Sequence, residues 1–216
     1  MAGTFITFEG IDGSGKSTQL RLLASHLKEH GCEVLTTREP GGTAIGLRLR
    51  AALLDADEEV DPLTELLVFA ADRAQHVRAV LKPALAEGRV VISDRYADAT
   101  IAYQGAGRGF EPKLIEEIVR LATEGLKPDL TLLFDVSVVE STTRTTRRSN
   151  ARNKLDRLDI EKSDFHERVR DAYHKIAASE PGRVKIIDTS GPVEATQGQV
   201  RSILIPFLNA RGHLTN

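Results

Sequence analysis

A single cysteine, Cys32, in 216 residues leaves the chain no internal disulfide. That thiol follows an amphipathic stretch and reads as a buried structural residue rather than a nucleophile. An excess of one charge is also missing. Lys and Arg number 29 against 31 Asp and Glu, a formal net charge of −2, which removes the global pull expected of a dedicated nucleic-acid binder. No run approaches the ~20 apolar residues that cross a bilayer, and Met1 to Phe8 has no basic region ahead of a cleavable apolar segment. A cytoplasmic protein with no nucleic-acid and no membrane partner is expected. Hydrophobic residues at 41% and charged residues at 28% exclude disorder and a collagen-like repeat. With neither linker nor internal repeat, residues 1–216 read as one domain.

Short runs rich in β-branched residues alternate with segments of helical period, the pattern of a parallel sheet with helices on both faces. Five strands are expected: Thr4 to Phe8, Glu33 to Thr37, Arg89 to Ser93, Leu130 to Val136 and Val184 to Asp188. Three apolar stripes are expected to face the core. Leu20, Leu23, Ala24 and Leu27 precede the terminating Gly31; Leu63, Leu66, Leu67, Ala70 and Ala74 follow the start signal Asp61-Pro62; Leu114, Ile118, Leu121 and Ala122 precede Gly125. The acidic run Asp55 to Asp61 reads as a solvated connection.

The first strand runs through Gly10-Ile11-Asp12-Gly13-Ser14-Gly15-Lys16-Ser17 into the first helix, the G-x-x-x-x-G-K-[ST] pattern in its strand, loop, helix setting. Glycines let successive backbone N–H groups turn onto an anion, and the helix N-terminus adds positive charge. Lys16 is expected to reach the β- and γ-phosphates of ATP and to make no core contact, and the Ser17 hydroxyl to ligate Mg2+. Two segments imitate a GTPase. Asn153-Lys154-Leu155-Asp156 resembles the guanine-reading element and Asp188-Thr189-Ser190-Gly191 the D-x-x-G element, but their order along the chain is reversed.

Asp94 ends the third strand where a parallel sheet delivers residues to its crevice, placed to hold Mg2+ directly or through water. Its neighbour Arg95 suits bidentate capture of a phosphate; the competing reading is an Asp94–Arg95 ion pair. Phe69 and Arg73 lie four apart on one helix face, an arrangement that suits a base, with the ring to stack and the guanidinium to donate to a carbonyl; ordinary packing is the competing reading, and the phosphate loop nearby favours the base. Thr100, Tyr103 and Gln104 share a face of a short helix that leads into the glycine-rich loop Gly105 to Gly109.

These motifs together resemble thymidylate kinases through nearly the whole chain. The resemblance rests on Phe8-Glu9-Gly10 and the phosphate loop, Arg38-Glu39-Pro40-Gly41-Gly42-Thr43, Phe69-Ala70-Ala71-Asp72-Arg73, Asp94-Arg95-Tyr96 and Ala102-Tyr103-Gln104. It implies an α/β P-loop nucleoside monophosphate kinase-like fold, a parallel five-stranded sheet flanked by helices. It further implies ATP and dTMP as substrates, Mg2+, and a homodimer. By resemblance, Phe69 stacks on thymine, Arg73 bonds its carbonyl, Arg95 holds the dTMP phosphate, and Tyr103 sits where a ribose 2′-hydroxyl would clash. Asp12 would meet the 3′-hydroxyl side and order the metal and phosphates. The family usually carries Ser where this chain has Ala99, which removes one hydroxyl.

Arg144, Arg147, Arg148, Arg152 and Arg157 crowd residues 144–157, which read as a lid whose arginine neutralises the transferring group. Relatives differ in placing that arginine on the lid or in the phosphate loop after Asp12. Here that loop position is Gly13, so the lid is expected to supply it, Arg152 first and Arg148 second. Arg38 beside Arg95 favours a phosphate acceptor over the neutral sugar hydroxyl of a deoxynucleoside kinase. The other rivals are a different nucleoside monophosphate kinase and a nucleotide-binding switch without turnover.

Overall fold

Strand β1 (Thr4–Glu9) is buried at every position, and β3 (Val90–Asp94) and β4 (Leu130–Asp135) at all but their last. Burial on both faces is what a helix-covered parallel sheet imposes on its central strands. With β2 (Val34–Arg38) and β5 (Val184–Asp188) at the edges, five parallel strands run in the order β2-β3-β1-β4-β5. The computed structural model describes residues 2–54, 59–152, 158 and 161–214, without the side chains of 149–152. Residues 55–58 of the expected acidic connection lie outside the described residues, as does the imitation guanine-reading element at 153–156.

The connection from β1 to β2 leaves on one flank and that from β4 to β5 on the other, so the ligand crevice opens at the carboxyl ends of the central strands. Register brings Arg38, Phe8 and Asp94 to the same level there.

Helix α1 (Lys16–Glu29) and α9 (Val193–Ala210) cover one face of the sheet. Leu23 and Leu27 pack with Ile6, Phe8, Phe134 and Leu204, and Cys32 is buried among them. Burial raises the affinity of the Cys32 thiol for its proton, in keeping with a structural role. As expected, α1 stops short of Gly31, whose φ is 74°. The remaining helices are α2 (Ala44–Leu54), α3 (Pro62–His76), α4 (Lys82–Ala86), α5 (Ala97–Thr100), α6 (Pro112–Thr123), α7 (Val138–Arg152) and α8 (Ser163–Ser179). A second apolar cluster joins Ile11, Tyr103, Leu133, Phe165, Val169 and Tyr173.

Two expected core stripes face the other way. On α3, capped by Asp61 through Leu63 N–H and Thr64 N–H, Leu66 is buried, but Leu63 and Leu67 are 47% and 53% exposed. The inward face carries Glu65, Asp72, Arg73 and His76 instead. On α6, Ala122 is buried while Leu114 is 38% and Leu121 74% exposed. Helical period finds an apolar face without saying what covers it, and here the polar face of α3 is the one the site requires. Gly105 and Gly107, expected in a loop, belong to a wide π turn spanning Ile101–Gly107, a geometry common at functional sites.

Candidate active site

The phosphate loop closes on itself around Lys16. The lysine ammonium donates to the carbonyls of Gly10 (2.9 Å) and Ile11 (2.8 Å) and to Ser14 Oγ (3.3 Å). Lys16 is buried within the loop that supplies these acceptors. Burial, with the nearby Arg95 charge, brings its pKa down to about 8. Ser17 Oγ donates to Asp94 Oδ2 at 2.7 Å, so the two expected metal ligands meet. A hydroxyl and a carboxylate are hard oxygen donors, and Mg2+ commonly takes one or two protein oxygens beside phosphates and water, so this pair fits the ion.

Gly13 has φ 73°, and a Cβ there would stand 2.7 Å from Ser141 O and 3.2 Å from Thr145 Cγ2. No side chain fits between the loop and α7. Ser141 Oγ donates to Asp12 O at 2.6 Å, pinning the first turns of α7 to the loop. Arg144 and Arg148 then follow along that face and line a cavity of about 750 Å³ over Lys16 and Ser17. The side chain of Arg152, the first-ranked lid residue, and all of Arg157 lie outside the described residues. The cavity continues past Gln19 to Thr189, Gly191, Pro192, Val193 and Thr196. Sequence reasoning treated Thr189 and Gly191 only as part of a GTPase imitation, although the end of a parallel strand was itself a signal.

A second cavity shares Asp12 and Arg95 with the first and is lined by Phe69, Arg73, Ala99, Thr100, Tyr103 and Gln104. Ala99 thus forms part of the wall where the family's Ser would stand. Arg73 donates from Nε to Glu39 Oε2 (2.8 Å), from one terminal nitrogen to Thr100 Oγ1 (2.7 Å), and from the other to Tyr96 O (2.8 Å). Five N–H donors less three leaves one on each terminal nitrogen for a ligand. Glu39 is fixed by His76 Nδ1 at 2.8 Å, and His76 Nε2 lies 2.7 Å from Thr37 Oγ1. Arg38 is exposed and lines the phosphate-side cavity with Asp94 and Arg95.

Arg95 stands between the cavities in a left-handed backbone conformation, φ 72°. For a bulky side chain this costs about 1–3 kcal/mol, which surrounding bonds must offset. Arg95 N–H donates to Phe8 O (2.9 Å), Ser93 Oγ donates to Arg95 O (2.7 Å), and Tyr96 N–H donates to Glu9 Oε1 (2.7 Å). Its guanidinium donates to Asp12 Oδ1 and the Tyr103 hydroxyl, both at 3.0 Å, and lies 4.7 Å from the Tyr103 ring centre. Asp12, rather than Asp94, is its ion partner. Burial opposes ionisation of Asp12, but Arg95, Lys16 and Arg148 together hold its carboxyl well below the usual range. Tyr173, which sequence reasoning missed, donates to Glu9 Oε2 at 2.7 Å and accepts from Arg95 at 3.4 Å.

The sequence model of the thymidylate kinase family matches residues 8–200. Among curated relatives, the thymidylate kinase of Geotalea uraniireducens is 50% identical over 209 residues, covering 95% of this chain and 98% of that protein. The thymidylate kinase of Exiguobacterium sibiricum is 44% identical over 216 residues, the full length of both. Among solved structures, thymidylate kinase from Ehrlichia chaffeensis superposes with a TM-score of 0.78 at 36% identity, over 94% of this chain and 100% of that one.

The buried Glu9 yields a prediction about pH. Burial, followed by the Asp98 charge, pushes its pKa from 4.5 up to about 8. A carboxyl that keeps its proton longer when folded than when unfolded withdraws stability as pH climbs between those two values. Denaturant unfolding at several pH values should therefore show the wild-type protein losing stability relative to Glu9→Gln from about pH 5 to pH 8. A difference that stays flat, or runs the other way, contradicts the assignment.

Proposed function

The chain belongs to the thymidylate kinase family and transfers the γ-phosphoryl group of ATP to dTMP, giving dTDP and ADP, and on that premise we propose how its residues do so. The observation that carries the reading is the Asp12–Arg95–Tyr103 cluster, which stands between the phosphate loop and the cavity of Phe69 and Arg73. ATP lies along the loop, where Lys16 exchanges its carbonyl partners for β- and γ-phosphate oxygens. Ser17 and Asp94 would hold Mg2+, which would supply positive charge against the ATP phosphates. Phe69 stacks on thymine, Arg73 donates a spare N–H to its carbonyl, and Thr100 and Gln104 complete the wall. Arg95 and Arg38 take the dTMP phosphate, Tyr103 faces the sugar, and Asp12 meets the 3′-hydroxyl side.

The acceptor oxygen is already anionic near neutral pH, since a phosphate monoester has a second pKa of about 6. No general base is needed, and catalysis rests on alignment and countercharge. That weighs against a deoxynucleoside kinase, because Asp12, held ionised by Arg95, is a weak base for a sugar hydroxyl. Residues 1–216 act as one kinase domain with the lid at about 144–157. Its countercharge comes from Arg152, with Arg148 as second choice; the closed space over Gly13 supports a lid source. The enzyme works in the cytoplasm, and among the described residues no helix is long and apolar enough to cross a membrane. It works as a homodimer, since α3 and α6 pack side by side and turn Leu63, Leu67, Leu114 and Leu121 outward. A second copy of the same surface would cover them.

ADP release measured with dTMP, dUMP, thymidine and no acceptor tests the reaction. Turnover should require dTMP or dUMP; equal rates with thymidine would indicate a deoxynucleoside kinase, and release independent of acceptor would remove the reading. In single-turnover form, Arg152→Ala should slow the chemical step by on the order of a thousandfold with little change in either affinity. If Arg148→Ala carries the loss instead, the lid stands with the other residue. Both variants and their double staying within a few-fold of wild type would defeat it.

Sedimentation tests the dimer: wild type should run as two copies and Leu121→Glu as one, whereas a monomeric wild type contradicts the assignment.

A further inference from the structure

Glu65 is fully buried on α3, one turn before Phe69 and two before Arg73, yet it has no part in the transfer described above. Its Oε1 accepts from Gln104 Nε2 at 2.9 Å and from Arg108 Nε at 3.1 Å, and its Oε2 accepts from Arg108 at 2.9 Å. Arg108 is itself held by Glu161 at 2.6 Å and lies 4.8 Å from the Phe165 ring centre. A carboxylate bonded to a guanidinium offers only acceptors, so it dictates which end of the Gln104 amide turns toward it. The NH2 must face Glu65. The amide oxygen, on the other arm of the same planar group, is then turned away from Glu65, and Gln104 lines the base cavity. The reverse orientation would set two acceptor oxygens against each other in a buried place.

We propose that Glu65 is a specificity-determining positioning residue: by fixing the Gln104 amide, it makes the acceptor cavity demand a pyrimidine with a protonated N3. This rests on the proposed placement of the base between Phe69 and Arg73. Thymine and uracil present a carbonyl at C4 and an N–H at N3, matching the spare Arg73 donors and the Gln104 oxygen. Cytosine presents an amino group at C4 and a bare nitrogen at N3. It would set donor against donor and acceptor against acceptor, and buried mismatches of this kind are what polar sites reject strongly. The 5-methyl group plays no part in this choice.

The test compares kcat/KM for dTMP and dCMP in wild type, Glu65→Gln, Gln104→Met and the double variant. A glutamine at position 65 can give or take a hydrogen bond, which frees the Gln104 amide to turn. Glu65→Gln should lower the dTMP-to-dCMP ratio by about tenfold or more, the size of losing one enforced polar contact. In the Gln104→Met background the same change should leave the ratio where Gln104→Met put it. An unchanged ratio in a folded, active Glu65→Gln variant overturns the proposal. If that variant does not fold, wild type labelled with 15N on its glutamine side chains decides. The Gln104 amide protons should show nuclear Overhauser contacts to Arg108, which shares the Glu65 carboxylate, both before and after dTMP is added; loss of those contacts on dTMP addition overturns the assignment. A wild-type protein that binds dTMP over dCMP without phosphorylating it would remove the reaction and keep this role for Glu65.

Discussion

The ion pair between Arg95 and Asp12 joins the two halves of the site. Asp12 belongs to the phosphate loop, Arg95 to the turn after β3, and the contact places a guanidinium at the boundary between both cavities. Arg95 reaches it only from a left-handed backbone, and three hydrogen bonds from β1, Ser93 and Glu9 hold that conformation. The fold therefore stabilises locally unfavourable geometry where charge must be presented, a common arrangement at functional sites. Remove the sheet register that brings Phe8 level with Asp94, and the Arg95 N–H loses its acceptor.

Charge is concentrated around this pair beyond what the net charge of −2 suggests. Lys16 is weakened as an acid-holder by burial and Arg95, while Glu9 is driven toward its neutral form by burial. Removal from water is the largest cause of both shifts. Phosphates bring negative charge next to Lys16, Arg38, Arg95 and Arg148, which all line the same cavity. Ligand binding and electrostatic relief are thus the same event here.

The legible parts of the site were those written in local spacing. Gly10 to Ser17, Asp94-Arg95, and the i,i+4 pair Phe69/Arg73 each sit within one strand end or one helix turn, and they come together at one crevice. The supporting residues were illegible because their partners are far along the chain: Glu39 with His76, Glu9 with Tyr173, Glu65 with Gln104. Their signals were nonetheless present. Glu65, Phe69, Arg73 and His76 mark one face of α3 at helical spacing, a polar face that belongs inside only if something there needs hydrogen bonds. The leucine stripes of α3 and α6 misled for the converse reason, since an apolar face need not be covered by its own chain.

The central claim is that Arg95 reads the acceptor phosphate, and calorimetric titration of dTMP and thymidine measures it most directly. Arg95→Gly is the apt variant, because glycine accepts the left-handed backbone without strain. Wild type should bind dTMP far more tightly than thymidine, and Arg95→Gly should lose on the order of tenfold or more of that preference, keeping only what Arg38 supplies. A variant that keeps the wild-type preference for dTMP would contradict the account.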